Sequence, residues 1–209
     1  MSDDDAHGLS EKNNDGKKAF EMKGITKEYL STGVVANKSV DFDGVYGKIH
    51  GLVGDNGSGK TTLMLSLSGL YRPDDGEIYI EGEKVDFNSP EDALKKGIGM
   101  VHQERRLIPS HTVLENVLLG FTRDRDRLNF KEAEKKAQKI CDKYGFHLDL
   151  HERVDNLSAS QKQVAEILKV LYYNAKIIIL DEPTSVLTPE EIDSFLESVK
   201  ELANDGACV

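Results

Sequence analysis

The stretch Gly54-Asp55-Asn56-Gly57-Ser58-Gly59-Lys60-Thr61 decides how the rest of this chain is read. It has the form glycine, four free positions, then Gly-Lys-Thr. Its glycines let the backbone wrap closely and aim N–H groups at phosphate oxygens. A helix beginning at the end of the loop adds the partial positive charge of its N-terminus. Lys60 then reaches the β- and γ-phosphates, Thr61 offers its hydroxyl to Mg²⁺, and Thr62 follows in the same turn. The flanks agree with this reading. Residues 48–53 form a short apolar run that predicts the strand feeding the loop, and Leu63, Leu65, Leu67 and Leu70 follow on a helical stretch.

Outward from the loop, the pattern is that of an α/β chain. Phe20, Met22 and Ile25 open an alternating segment, and residues 34–42 alternate again, so with 48–53 three early strands are expected. Arg72-Pro73-Asp74-Asp75-Gly76 reads as a turn and 77–81 as a strand. Residues 90–96 read as a helix with Pro90 in its first turn and Ser89 as N-cap, and 98–102 as a strand. Between 103 and 157 no strand is expected, whereas 112–119 and 130–144 have helical patterns. That shift marks a helical subdomain at about 104–156 inserted in an α/β core. A helix at 160–172, a buried strand at 176–181 and a helix at 189–203 ended by Gly206 follow. Ala207-Cys208-Val209 then reads as the start of a further strand.

The second chemical motif is Ile177-Ile178-Ile179-Leu180-Asp181-Glu182. A run of β-branched residues reads as a strand buried on both faces. Carboxylates at its C-terminal end fall where α/β sheets bind ligands. Asp181 is placed to hold Mg²⁺ and Glu182 to orient or deprotonate an attacking water. Taken alone, the pair fits a helix-capping role equally well. Beside the phosphate loop it becomes a hydrolytic constellation.

Composition sets the outer limits. The 209 residues suffice for one core plus a small subdomain. Net charge is -10, from 37 acidic and 27 basic side chains, which argues against nucleic acid as a partner. Arg123-Asp124-Arg125-Asp126-Arg127 alternates in sign and reads as a solvated loop. No apolar run approaches the roughly 18 residues that span a bilayer, so any link to a membrane goes through a partner. Cys141 and Cys208 have no metal-ligand or redox spacing and read as reduced thiols of a cytosolic protein. Residues 1–18 are acidic and polar, lack an export signal, and read as a disordered tail.

Leu157-Ser158-Ala159-Ser160-Gln161, just upstream of the Asp181-Glu182 strand, resembles the signature of the ABC-transporter ATPases, usually LSGGQ. The series of phosphate loop, isolated Gln103, signature and Asp181-Glu182-Pro183-Thr184-Ser185 has that family's order, and the resemblance covers 19–209. It implies an α/β P-loop NTPase fold with a central mostly parallel sheet, an N-terminal antiparallel β subdomain and an inserted α-helical subdomain. It implies ATP and Mg²⁺ as cofactors. Gln103 matches the glutamine that contacts Mg²⁺ and the attacking water, or is a loop amide. Tyr29 matches the aromatic that stacks on adenine, or is an ordinary strand aromatic. Ser158 and the backbone around Ser160, within 157–161, match groups that close on the γ-phosphate of ATP held by the opposing subunit. His102 reads as structural, and Met100 and Val101 as core.

Gly97-Ile98-Gly99-Met100-Val101-His102-Gln103, Thr112-Val113-Leu114-Glu115-Asn116-Val117 and the run from Asp181 to Thr188 resemble the first cassette of two-cassette ATPases that import simple sugars and nucleosides. This implies a pair of integral membrane permease subunits, a second ATP-binding cassette and an extracytoplasmic substrate-binding protein as partners. It places the chain at the cytoplasmic face of the cell membrane. Residues 104–109 are the candidate permease contact, or an ordinary exposed loop. Three departures stand out. Ser160 replaces the second signature glycine, where a Cβ crowds the opposing γ-phosphate. Thr188 stands where many members have aspartate. The family's switch histidine is expected after the strand beginning near Ala207, and none of the six histidines is placed there. The expectation is therefore a cassette incomplete at its C-terminus, poorly stable or inactive alone. Two functions follow: an ATP-hydrolysing importer subunit, or a nucleotide-binding module without turnover. The translation or DNA-repair ATPases of the family are disfavoured by the acidic balance, and a metabolic kinase by the signature.

Overall fold

Residues 16–102, 106–119 and 129–209 are described by the computed structural model. Most of the acidic tail (1–15), Gln103 with Glu104 and Arg105, and the alternating-charge run at 123–127 lie outside them.

Strands β1 (Lys18–Tyr29), β2 (Val34–Val45), β3 (Asp75–Ile80) and β4 (Glu83–Val85) form an antiparallel sheet of order β2-β1-β3-β4. Phe20, Met22 and Ile25 are all buried, although their spacing is two and then three residues. The register shift between Met22 and Ile25 explains this, since one extra residue returns the alternation to the same face. β4 goes beyond the sequence reading. It is three residues long and is paired to β3 through the two-residue turn Glu81-Gly82, with φ of 51° and 87°. That is the twist a tight hairpin needs. Glu-Gly is a weaker signal of it than Asn-Gly.

Strands β5 (Ile98–Val101) and β6 (Ile177–Leu180) pair in parallel, from Ile98 opposite Ile177 to Val101 opposite Leu180. Cys208 adds a parallel bridge to Ile177. This pair separates two apolar clusters. Ile98, Ile177 and Ile179 face Phe20, Met22, Leu63 and Leu67, while Val101 and Ile178 face the helices. Burial on both faces is why this strand carries no polar alternation, and each such side chain contributes about 2 kcal/mol. Residues 48–53 are not a strand, contrary to the reading of their apolar run. Among the described residues, their backbone pairing is confined to the His50 N–H on the Val209 carbonyl at 2.7 Å and the Val209 N–H on the Lys48 carbonyl at 3.0 Å. A ladder that short fixes no strand, and Val53 is 93% exposed.

The helices are α1 (Lys60–Leu67), α2 (Pro90–Lys95), α3 (Val113–Leu118), α4 (Phe130–Tyr144), α5 (Ala159–Tyr172) and α6 (Pro189–Asn204). Ser89 caps α2 as expected, accepting from the Asp92 N–H. α3, α5 and α6 each start in a reciprocal capping box: Thr112 with Glu115, Ser158 with Gln161, Thr188 with Glu191. α4 buries Ala133, Ala137 and Cys141, four residues apart, and turns its Lys and Glu outward. α6 ends with the Gly206 N–H on the Ala203 carbonyl and the Ala207 N–H on the Leu202 carbonyl. The described part of 104–156 holds α3, α4, a 3₁₀ turn at Val154–Asn156 and an isolated bridge from Thr112 to Arg153, with no longer strand. Side chains of α3 to α6 share one core with β5 and β6. No helix among the described residues is long and apolar enough to cross a membrane.

Candidate nucleotide site

Residues 54–59 form a loop, exposed over 54–58, that enters α1 through the partly buried Gly59, whose φ is 91°. A Cβ at Gly59 would lie 2.2 Å from the Ala36 carbonyl oxygen and 2.7 Å from Asn37 Nδ2. The turn therefore requires glycine twice over, for its dihedral and for the close pass of β2. α1 has no side-chain cap and no acidic residue in its first turn, so its opening N–H groups are not covered by the chain's own carboxylates. Lys60 lays its ammonium on the Gly54 and Asp55 carbonyls at 2.7 and 2.8 Å. Thr61 Oγ1 donates to Asp181 Oδ1 at 3.2 Å, joining the loop to the end of β6.

A groove of about 310 Å³ opens over this loop, lined by Asn56, Gly57, Gly59, Lys60, Thr61 and Thr62 together with Tyr29, Val34, Ala36 and Glu182. A Cβ on Gly57 would meet nothing within 4 Å, so the loop faces open space there. Tyr29 is fixed by its hydroxyl, 3.0 Å from Thr62 Oγ1, and by an edge-on Tyr71 ring at 6.0 Å. Glu182 has a φ of 47°, a left-handed conformation rare for this residue. Strain of about 1–3 kcal/mol is typical of such positions and concentrates at functional sites. Thr61 and Asp181 suit Mg²⁺, which takes one or two protein oxygens plus phosphate and water rather than a full protein cage. Among the described residues no group of three or more His, Cys, Asp or Glu forms such a cage.

The signature residues fall elsewhere. None of Leu157, Ser158, Ala159, Ser160 and Gln161 lines the groove. Leu157 is buried, and Ser158 caps α5 on the surface. The Ser158 and Ser160 hydroxyls are 2.9 Å apart, and Ser160 donates to Glu191 Oε1 at 2.7 Å. Thr188, at the departure from aspartate, is the N-cap of α6. His102 is half-buried, and its burial, then the neighbouring Arg106, hold its pKa below the ordinary value. Within the candidate permease contact, the Arg106 N–H donates to Glu166 on α5 at 2.8 Å. Asn116 grips Ile108 through both its N–H and its carbonyl.

Two polar residues around the site carried no sequence signal. Asn37 is buried on β2 and donates to the Gly59 carbonyl at 3.2 Å, so it props the loop from below. Glu191, in the first turn of α6, reaches the signature. A Thr-x-x-Glu pattern announces a capping box, but nothing local announces the second contact.

A phosphate-cradling loop, a strand ending in carboxylates and a sheet between two apolar clusters define a P-loop nucleotide-binding protein. Residues 37–185 match the family model of the ABC transporter, and the chain belongs to that family. It is 41% identical over 217 residues to the glucose import ATP-binding protein TsgD13 of Haloferax volcanii, covering 90% of this chain and 39% of that one. It is 44% identical over 191 residues to the guanosine import ATP-binding protein NupO of Bacillus subtilis, covering 91% and 37%. Ribose import ATP-binding protein RbsA of Caldanaerobacter subterraneus is 38% identical over 91% of this chain and 38% of its own length. The chain thus spans well under half the length of these curated relatives. Among solved structures it superposes on a nucleotide-free ATP-binding cassette from an ABC transporter with a TM-score of 0.80, at 25% identity, over 91% of this chain and 79% of that one. A dimeric bacterial ABC transporter cassette gives a TM-score of 0.72 at 28% identity, over 88% and 82%.

Proposed function

We propose that the chain is the ATP-binding part of an importer for a simple sugar or nucleoside, and that it couples ATP hydrolysis to uptake. One observation carries this reading: the loop hydroxyl of Thr61 bonded to Asp181 at the end of a buried strand, beside Lys60. Lys60 and the loop N–H groups would hold the β- and γ-phosphates. Thr61 and Asp181 would hold Mg²⁺, which supplies charge neutralisation at the phosphates, and Gln103 is assigned to the same task. Glu182, on its strained turn, is assigned to orient the attacking water, a task the family resemblance also gives to Gln103. Tyr29, fixed at the groove's end, is assigned to the adenine. Residues 157–161 are assigned to a nucleotide carried by a second cassette, in line with their position away from the groove. The nucleotide-binding unit covers 19–209 with the helical part at about 104–156. Its partners are a permease at the cytoplasmic face of the membrane and an external substrate-binding protein. The relatives named for glucose, guanosine and ribose import support the substrate class.

The test is Mg²⁺-ATP binding by calorimetry, paired with uptake of labelled ribose, glucose and guanosine in cells. Lys60→Ala should lower ATP affinity about 100-fold by removing charge-assisted bonds to phosphate. The same change should abolish uptake of one solute class. Uptake of all three unchanged in that strain would reject the importer reading. A second reading, a nucleotide binder without turnover, is favoured by the bond that Ser160 makes to Glu191. Single-turnover hydrolysis separates the two.

A further inference from the structure

The hydroxyls at the start of α5 form a chain with a fixed direction. A serine hydroxyl has one proton to donate. Ser160 spends its proton on Glu191 Oε1 at 2.7 Å, because a carboxylate only accepts. The 2.9 Å contact between the two hydroxyls must therefore run from Ser158 to Ser160. The oxygen of Ser158 in turn accepts from the Gln161 N–H at 3.2 Å. The only proton of the exposed signature hydroxyl is thus directed inward, along a chain that ends on Glu191. The other carboxylate oxygen of Glu191 accepts from the Thr188 N–H at 3.0 Å, which anchors the chain to the start of α6. α6 follows the turn that carries Asp181 and Glu182, so the chain ties the signature to that turn. The Thr188 N–H and then the Ser160 hydroxyl also hold Glu191 below the usual glutamate range, so it stays an acceptor at neutral pH.

We propose that Glu191 is a positioning residue that sets the direction of this hydroxyl chain and withholds the Ser158 proton from the phosphate of ATP carried by a second copy of the chain. The proposal rests on the reading of 157–161 as the turn that closes on a nucleotide. It gives Ser160 a specific consequence. A glycine at that position could not pass the chain on to Glu191, and Ser158 would then donate freely. Closure on ATP here must first break or reverse the Ser158–Ser160–Glu191 chain.

The informative variant is Glu191→Gln. Its carbonyl keeps the capping box, since glutamine serves there as well as glutamate. Its NH₂ donates to Ser160, which reverses the chain and turns the Ser158 proton outward. Self-association of the whole 209-residue chain is measured by sedimentation across a Mg²⁺-ATP titration. ATP affinity and melting temperature are recorded alongside. Glu191→Gln should associate in ATP at about threefold to tenfold lower concentration than the parent, the effect of one added phosphate bond. ATP affinity should stay the same, and the melting temperature should fall slightly with the charge of Glu191 but not rise. Ser160→Ala, which cuts the chain but leaves the Thr188–Glu191 capping box of α6 in place, should act in the same direction. The double variant should gain no more than either alone. A Glu191→Gln chain that associates no more readily than a parent that binds ATP overturns this proposal and leaves the nucleotide reading standing. If Glu191→Gln does not fold, Ser160→Ala decides by the same criterion. A parent that does not bind ATP overturns both.

Discussion

Two helix starts in this molecule are built in opposite ways. α1 begins at Gly59 with no side-chain cap, and its first turn carries Lys60 and Thr61. α5 begins at Ser158 with a complete capping box, and its hydroxyls are further tied to Glu191. An uncapped N-terminus exposes N–H groups and a partial positive charge, which suits phosphate. A capped one has satisfied part of that demand internally. The first start is preorganised for a ligand. The second has to give something up before it can bind one, and the proposed control by Glu191 follows from that difference.

The largest expected effect breaks the first start. Gly59→Ala puts a Cβ 2.2 Å from the Ala36 carbonyl at a φ of 91°. It should cost about 3 kcal/mol of stability in urea unfolding and remove ATP binding with it. A variant with parental stability would mean that β2 can yield, and that the loop is less fixed than its geometry says. A smaller effect tests the second start. Ser158→Ala removes the N-cap of α5 and should cost about 1 kcal/mol, while ATP affinity of the single chain stays unchanged. Loss of ATP affinity in that variant would place the signature in the groove, against its position in the fold.

The smallest effect concerns pH. The Thr112 backbone N–H and hydroxyl hold Glu115 below the usual glutamate range, and the Thr188 N–H and the Ser160 hydroxyl do the same for Glu191. A depressed carboxylate stabilises the fold above its unfolded pKa and loses that contribution as pH falls through its folded one. Amide protection factors, taken relative to the intrinsic exchange rate at each pH, should therefore fall more on acidification at the starts of α3 and α6 than at α1, which has no acidic residue in its first turn. Equal loss of protection at all three would show that the boxes contribute nothing local.

Most of the helix starts were legible because their causes are local. Ser89 before Pro90, and the position of 130–144, are decided within a few residues, and the structure places α2 and α4 accordingly. The phosphate loop was legible for the same reason. The strand expected at 48–53 was not, because an apolar run becomes a strand only when a neighbour completes its ladder, and among the described residues the backbone of 48–53 pairs with Val209 alone. β4 was missed because three residues are too few to show a period.

By itself the sequence determined the loop, the carboxylate strand, the signature and their order, since each depends on residue type at short spacing. Only the tertiary structure decided what they touch. Thr61 meets Asp181 across 120 positions, Tyr29 meets Thr62 across 33, and Ser160 meets Glu191 across 31. Those meetings are set by how the two apolar clusters pack on either face of β5 and β6. Packing is a property of surfaces brought together in space, and no short window of sequence contains it.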